Sequence, residues 1–227
     1  MTADFEQMKQ QHGFDFSLLF IDMDNFKAVN DGFGHFQGDR LLTQLGQRLV
    51  HFIVDGEKVA RVGGDEFVLM TPEVSTEKLL QRARSLVECL TDRYRIGDMH
   101  FELGCSVGIA RVSEAGSVLS DTLRAADVAM YTAKHAQSSV HLFEPSLGQS
   151  YLENIQIEQR IRRAIEADHL YMCYQPQVDA NQRVIGVEAL VRWDDPELGS
   201  IEPQRFISIA ETSGLIGLVG NHILDCC

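Results

Sequence analysis

The run from Lys58 to Met70, KVARVGGDEFVLM, constrains the fold more than any other stretch of the chain. Two short apolar segments, KVARV and EFVLM, flank Gly63-Gly64-Asp65, which predicts a β-hairpin with a glycine turn. A hairpin commits the chain to a sheet with at least one antiparallel pair. The glycines suit a tight turn. The adjacent acids Asp65 and Glu66 are not needed to close one, although an acid at a turn is common enough on its own.

The segments around the hairpin supply the rest of a domain. FSLLFIDMD (Phe16 to Asp24) reads as a buried strand ending in acids. In GDRLLTQLGQRLVHFI the apolar stripe Leu41, Leu42, Leu45, Leu49, Phe52 and Ile53 is helical. STEKLLQRARSLVECLTDRY has helical leucine spacing, and HFELGCSVGIARV reads as a strand with a glycine inside it. SDTLRAADVAMYTAKHAQ reads as a helix with Ser120 or Asp121 as its N-cap, and VHLF as a last short strand. The order β-α-α-β-β-α-β-α-β predicts an α+β domain: a ferredoxin-like antiparallel sheet with flanking helices. EPSLGQS (Glu144 to Ser150) has linker composition. After it come a charged amphipathic helix, two strand-like runs (LYMCYQPQV and VIGVEALVRW) and two short helical runs from Pro203. The expected division is 1–143, a linker 144–150, and 151–227.

Composition narrows the function. The 227 residues carry 20 Lys+Arg against 33 Asp+Glu, a net charge of −13. That argues against general nucleic-acid or anionic-membrane binding, and a polyphosphate ligand would need metal ions or placed cations. No apolar run reaches the roughly 18 residues of a membrane span, and the first residues lack a signal-peptide pattern. The cysteines, Cys89, Cys105, Cys173, Cys226 and Cys227, are odd in number and lack C-x-x-C spacing. Neither a disulfide framework nor a zinc site is suggested, and reduced thiols fit a cytoplasmic location.

Asp22 and Asp24 alternate at the end of the first strand, so both lie on one face of the sheet. If the hairpin neighbours that strand, Asp22 and Asp65 converge. Clustered oxygen ligands without His or Cys favour Mg²⁺ or Mn²⁺ over zinc. Taken singly, a D-x-D is more often a solvated strand end and a G-G-D more often a plain hairpin turn. NFKAVND starts a helix whose first amides, around Asn25, Phe26 and Lys27, suit an anion, with the Lys27 charge beside them. Asn30 and Asp39 form a fitting pair for guanine. A carboxylate accepts from N1–H and the N2 amino group, and an amide both donates and accepts.

In sum, FIDMDNFKAVNDGFGHFQGDRLL followed by ARVGGDEFVLM, CSVGIA and LRAADVAMYTAKHAQ resembles the GGDEF family of diguanylate cyclases over residues 14–143. The resemblance implies a nucleotidyl-cyclase-type fold and condensation of two GTP to cyclic di-GMP with release of two pyrophosphates, within bacterial second-messenger signalling. It implies two divalent ions, Mg²⁺ or Mn²⁺, held by Asp22, the Met23 carbonyl and Asp65. Glu66 is the second acid the family needs. Guanine contacts fall to Asn30 and Asp39, phosphate contacts to Asn25, Phe26, Lys27 and Lys134, and Gly63 and Gly64 let the backbone approach the nucleotide. Each subunit holds one GTP, so a homodimer is implied.

Three features depart from the family pattern. The usual DxLTGLxNR segment is absent before the first strand, so the domain reads as clipped. Ser138 stands four residues after Lys134, where the family carries an arginine, on the expected same helical face. Losing that cation predicts GTP binding weaker by about 1–3 kcal/mol. Where many members have an R-x-x-D product-inhibition site, this chain has Val54, Asp55, Gly56 and Glu57, and feedback through it is not expected.

YMCYQPQVD with GVEALVRWDDPELGSIEPQRFISIAETSGLI resembles the first third of an EAL domain, the cyclic di-GMP phosphodiesterase family with a TIM-barrel-like fold. Glu188 matches the metal-binding acid, and Gln175 and Arg192 match dinucleotide contacts. The family's other metal ligands come from later strands. No phosphodiesterase activity is expected of residues 151–227, and the chain reads as a piece of a longer GGDEF–EAL protein with its sensor elsewhere. The competing expectation is a GTP-binding regulator of that protein's EAL domain.

Overall fold

The computed structural model describes residues 1–136 and 138–226. They form two compact units, Met1–Gln149 and Ser150–Cys227.

The first unit runs α1 (Thr2–His12), β1 (Ser17–Asp24), α2 (Phe26–Phe33), α3 (His35–Phe52), β2 (Lys58–Gly63) and β3 (Glu66–Thr71). It continues α4 (Thr76–Thr91), β4 (Tyr94–Ile96), β5 (Met99–Phe101), β6 (Gly104–Arg111), α5 (Val112–Ala115), α6 (Leu119–His135) and β7 (Val140–Leu142). The sheet order is β2-β3-β1-β6-β7. Strand β1 is central and antiparallel to both β3 and β6, and β7 joins β6 in parallel.

The nearly unbroken apolar run of β1 has a physical reason: helices cover the sheet on both faces. Leu19, Ile21 and Met23 point into a core with α2, α3 and α4. Leu18 and Phe20 point the other way, against α1 and α6 through Phe5, Met8, Ala125, Ala126 and Met130. Gly108 in β6 explains the mid-strand glycine. A Cβ there would lie 2.0 Å from the Ala126 carbonyl and 2.1 Å from the Met130 amide, so α6 rests directly on the strand.

Several elements depart from the sequence expectation. Helix α1 was not anticipated; Phe5 and Met8 are fully buried in it, and this packing sets the element despite weak periodicity. The run HFELGCSVGIARV is not one strand: its start pairs with Tyr94–Ile96 in a separate two-stranded hairpin, and β6 begins at Gly104. The N-cap of α6 is Val118, which places Ser120 and Asp121 inside the first turn, where an acid suits the helix dipole.

The second unit contains α7 (Leu147–Glu166) from Ser150 onward, β8 (Leu170–Val178), β9 (Val184–Asp195), β10 (Gly199–Ile201), α8 (Pro203–Thr212) and α9 (Ile216–Cys226). Helix α7 begins inside the segment expected to be a linker. The three strands form an antiparallel sheet in the order β10-β9-β8. Trp193, Val191 and Leu170 pack on one face of it with Ile157, Ile161, Phe206 and Val219 from the helices.

Candidate functional site

The acids converge because the register brings them together. Asp22 sits opposite Glu66 of β3 and opposite Ser106 of β6. Asp24 shares its face two residues on, and its Oδ1 accepts a hydrogen bond from Ser106 Oγ at 3.0 Å. From α6, Lys134 Nζ donates to Asp22 Oδ2 at 2.6 Å and lies 3.8 Å from Asp24 Oδ1. Asp22 is 9% exposed.

The hairpin delivers the remaining acids. Gly63 pairs with Glu66, leaving Gly64 and Asp65 as the two turn residues. Gly64 has φ +39°, the left-handed region that a two-residue hairpin turn demands. Arg61 Nε donates to the Gly64 carbonyl at 2.8 Å across a register shift between Arg61 and Gly63. The turn thereby aims Asp65 and Glu66 at the end of β1.

The electrostatics record an excess of negative charge. Burial, then the Asp22 charge, holds the Asp65 carboxyl above the usual range. Glu66 is raised by burial, then by Asp22, Asp127 and Asp65. Asp24 is raised by burial, against the pull of Ser106 and Lys134. Asp127, on α6, is raised by burial and then by Asp22. Burial by itself lowers the Lys134 pKa, but the Asp22 hydrogen bond and the charges of Asp22, Asp24 and Asp65 outweigh it and raise the value. One lysine thus faces a crowd of carboxylates.

Sequence reasoning missed Asp127 and Ser106. The first was findable: Asp127 and Lys134 are seven residues apart on α6, hence on one helical face. The second follows only from the β1–β6 register.

A divalent ion suits this donor chemistry, since the groups are hard oxygens carrying more negative charge than one lysine balances. Among the described residues no three His, Cys, Asp or Glu side chains are grouped to hold an ion by themselves. The expected donors do not require that, because one of them is the main-chain carbonyl of Met23. The Met23 side chain is buried in the core, while the β1–β3 ladder stops at Asp22–Glu66, one residue short of it.

The remaining residues expected to bind GTP lie at the N-cap of α2, on α2 and on α3. Asn25, the N-cap of α2, has φ 62° and makes no side-chain cap bond. The Phe26 side chain is buried in the core, so only its main chain can serve a ligand, and Lys27 is exposed. Asn30 lies against α3: a Cβ at position 38 would come within 2.0 Å of Asn30 Oδ1. Asp39, the next residue of α3, is exposed.

Two of the family departures gain a structural account. Helix α6 ends at His135, so Ser138 is not on the helical face of Lys134 as the spacing suggested. Its amide donates to the Ala133 carbonyl at 3.1 Å and its hydroxyl to the Val140 carbonyl at 3.0 Å, which turns the chain into β7. At the R-x-x-D place, the buried Glu57 accepts from the Val54 amide at 3.0 Å and pairs with Arg82 Nη2 at 2.6 Å. Arg82 also donates to the Phe52 carbonyl at 2.9 Å and stacks 3.9 Å from the Phe52 ring. These positions tie α4 to the connection between α3 and β2.

In the second unit, Gln175 and Glu188 are direct cross-strand partners, both exposed. Arg192 sits opposite Tyr171 on the same face, which is turned away from the Trp193 core. The described cysteines Cys89, Cys105 and Cys173 are free thiols. Among the described residues no helix is long and apolar enough to cross a membrane.

Comparisons with known proteins identify the family and the fold. The family model "Diguanylate cyclase, GGDEF domain" matches residues 1–139, and "EAL domain" matches residues 158–226. The cyclic di-GMP phosphodiesterase PdeR of Escherichia coli is 38% identical over 91% of this chain and 32% of its own length. The bifunctional diguanylate cyclase/cyclic di-GMP phosphodiesterase MucR of Pseudomonas aeruginosa is 38% identical over 92% of this chain and 31% of its own. The chain therefore spans about a third of these relatives. Among solved structures, an EAL/GGDEF domain protein from M. capsulatus superposes with TM-score 0.55 at 34% identity, covering 62% of this chain and 94% of that one. The active GGEEF domain of a diguanylate cyclase from Vibrio cholerae does so with TM-score 0.54 at 26% identity, over 63% and 91%. A β1 that carries Asp22 and Asp24, a glycine turn that carries Asp65 and Glu66, and a matching family model over residues 1–139 together make this chain a member of the GGDEF family, continued by part of an EAL domain.

Proposed function

We propose that residues 1–143 act as a diguanylate cyclase in cyclic di-GMP signalling, condensing two GTP to cyclic di-GMP with release of two pyrophosphates. The observation that carries this reading is the convergence of Asp22, Asp65 and Glu66 around a single lysine. Asp22, Asp65 and the Met23 carbonyl would hold two divalent ions, Mg²⁺ or Mn²⁺. When bound, such ions lower the pKa of the attacking ribose hydroxyl and offset charge on the departing pyrophosphate.

The chain's own groups have separate tasks. Asn30 and Asp39 orient the guanine edge. The first amides of α2, from Asn25 to Lys27, and the Lys27 and Lys134 ammonium groups bind the triphosphate. Gly63 and Gly64 keep the turn free of side chains where the nucleotide passes. In each half-reaction the 3′-oxygen of one GTP bonds to the α-phosphorus of the other as the bond to the β-phosphate oxygen breaks. One chain presents one GTP, so two chains must meet face to face, and proximity sets the rate. The reading places the reaction in the cytoplasm, where thiols such as Cys89 and Cys173 stay reduced.

A second reading rests on two observations: Ser138 stands where the family resemblance places an arginine, and PdeR is named a phosphodiesterase. In it, the first unit binds GTP without turnover and regulates an EAL domain. Incubation with GTP and Mg²⁺, followed by chromatography, separates the two. Cyclic di-GMP as product supports the cyclase. GTP binding with no product at any protein concentration leaves the regulator.

A further inference from the structure

Lys134 is placed where it can do more than bind phosphate. Its ammonium is 2.6 Å from Asp22 Oδ2 and 3.8 Å from Asp24 Oδ1, so it bridges the two β1 carboxylates. Asp24 is steadied by Ser106 and Asp22 is nearly buried, so neither acid has another described cation so close. The backbone of α6 is locked on β6 at Gly108, which fixes the root of Lys134. Its side chain is 34% exposed and flexible, so the amine can move while the helix cannot.

We propose that Lys134 is the internal counter-cation of the unloaded site: its ammonium occupies Asp22 until a divalent ion takes that carboxylate, and the ion's arrival frees the amine. The inference deepens the cyclase reading and rests on its assignment of Asp22. An ammonium at hydrogen-bond distance and a divalent ion on the same carboxylate repel each other strongly, so the two compete. Three consequences follow from the competition. The folded site tolerates its crowd of acids before loading. Divalent ions bind weakly while Lys134 has no other anion to meet. The freed amine becomes available to a triphosphate in the same event, which couples the two ligands reciprocally.

The test uses Mn²⁺ alone, without nucleotide, on the full chain. Free Mn²⁺ is counted by electron paramagnetic resonance. Lys134→Gln and Lys134→Met are expected to bind Mn²⁺ at least about fivefold more tightly than the unsubstituted chain, the lower end of a typical coupling. In the unsubstituted chain, amine labelling read by mass spectrometry is expected to modify Lys134 faster once Mn²⁺ is added, a readout that needs no variant to fold. Equal or weaker Mn²⁺ binding in both variants, or Lys134 labelling unchanged at saturating Mn²⁺, overturns the proposal and leaves the cyclase reading standing. Adding Asp22→Asn to Lys134→Gln is expected to erase the gain. A gain that survives in that double variant means the ion is not on Asp22, and the metal assignment beneath the cyclase reading fails with it.

Discussion

The two units treat their acids in opposite ways. In Met1–Gln149, helices cover both faces of the sheet, and Asp22 lies nearly buried between β3, β6 and α6. In the second unit, helices cover one face of the β8–β9 hairpin. Its far end leaves Ile185, Val187 and Tyr174 at 70%, 60% and 51% exposure, and Glu188 stands in the open beside Gln175. Family resemblance assigns a metal-binding acid to each unit. Among the described residues, further carboxylates and a cation surround that acid in the first unit, whereas Glu188 is exposed in the second. A motif residue gains unusual chemistry from the elements that close around it, and four carboxyls in the first unit are raised for that reason.

The largest effects test this contrast at the acids. Asp65→Ala and Asp22→Ala are each expected to lower GTP condensation by roughly 100-fold or more, with the far-ultraviolet circular dichroism spectrum retained. Glu188→Ala is expected to leave that rate unchanged, and neither form of the chain is expected to hydrolyse cyclic di-GMP. Hydrolysis that Glu188→Ala abolishes breaks the comparison.

Buried ion pairs sharpen it at the level of stability. Arg82→Ala leaves Glu57, whose side chain is 2% exposed, with the Val54 amide in place of a charged partner that met both its oxygens, and is expected to cost about 3 kcal/mol in urea unfolding of the first unit. Arg160→Ala removes the 2.8 Å partner of Asp195, yet Asp195 Oδ1 still accepts from the Glu197 and Leu198 amides. The second unit is therefore expected to lose less. A larger loss there than in Arg82→Ala contradicts the ranking.

The smallest expected effect has the opposite sign. The folded-state pKa of Asp127 is raised, so its contribution is favourable below the unfolded value and is lost as pH rises through the folded one. At neutral pH Asp127 is therefore a local cost, and Asp127→Asn should raise the melting temperature slightly at pH 7. The gain should shrink to nothing below about pH 4, near the ordinary carboxylate value. A gain that grows on acidification reverses the sign and refutes the electrostatic account of the site.

Much of the first unit was legible because its patterns are local. The turn chemistry of Gly63-Gly64 predicts the hairpin, and the unbroken β1 run predicts a buried strand. Asp22 and Asp24 showed their shared face by strand alternation alone. What stayed hidden depends on partners distant in sequence. Helix α1 is held by Phe5 and Met8 packing on the sheet, and Ser106 meets Asp24 only through strand register. Ser138 was misplaced because helix spacing was extended past His135, where a bond to the Ala133 carbonyl turns the chain away. Glu57 read as a missing inhibition site, and its structural task emerged only with Arg82 beside it.

The central claim is that the acidic site of the first unit joins two GTP across two copies of the chain. Specific activity with GTP and Mg²⁺, measured against protein concentration, tests it most directly. The account predicts cyclic di-GMP formation whose rate per chain rises with protein concentration and then levels off as dimers saturate. A rate per chain independent of concentration down to the lowest detectable level, or GTP bound without any cyclic di-GMP formed, would contradict it.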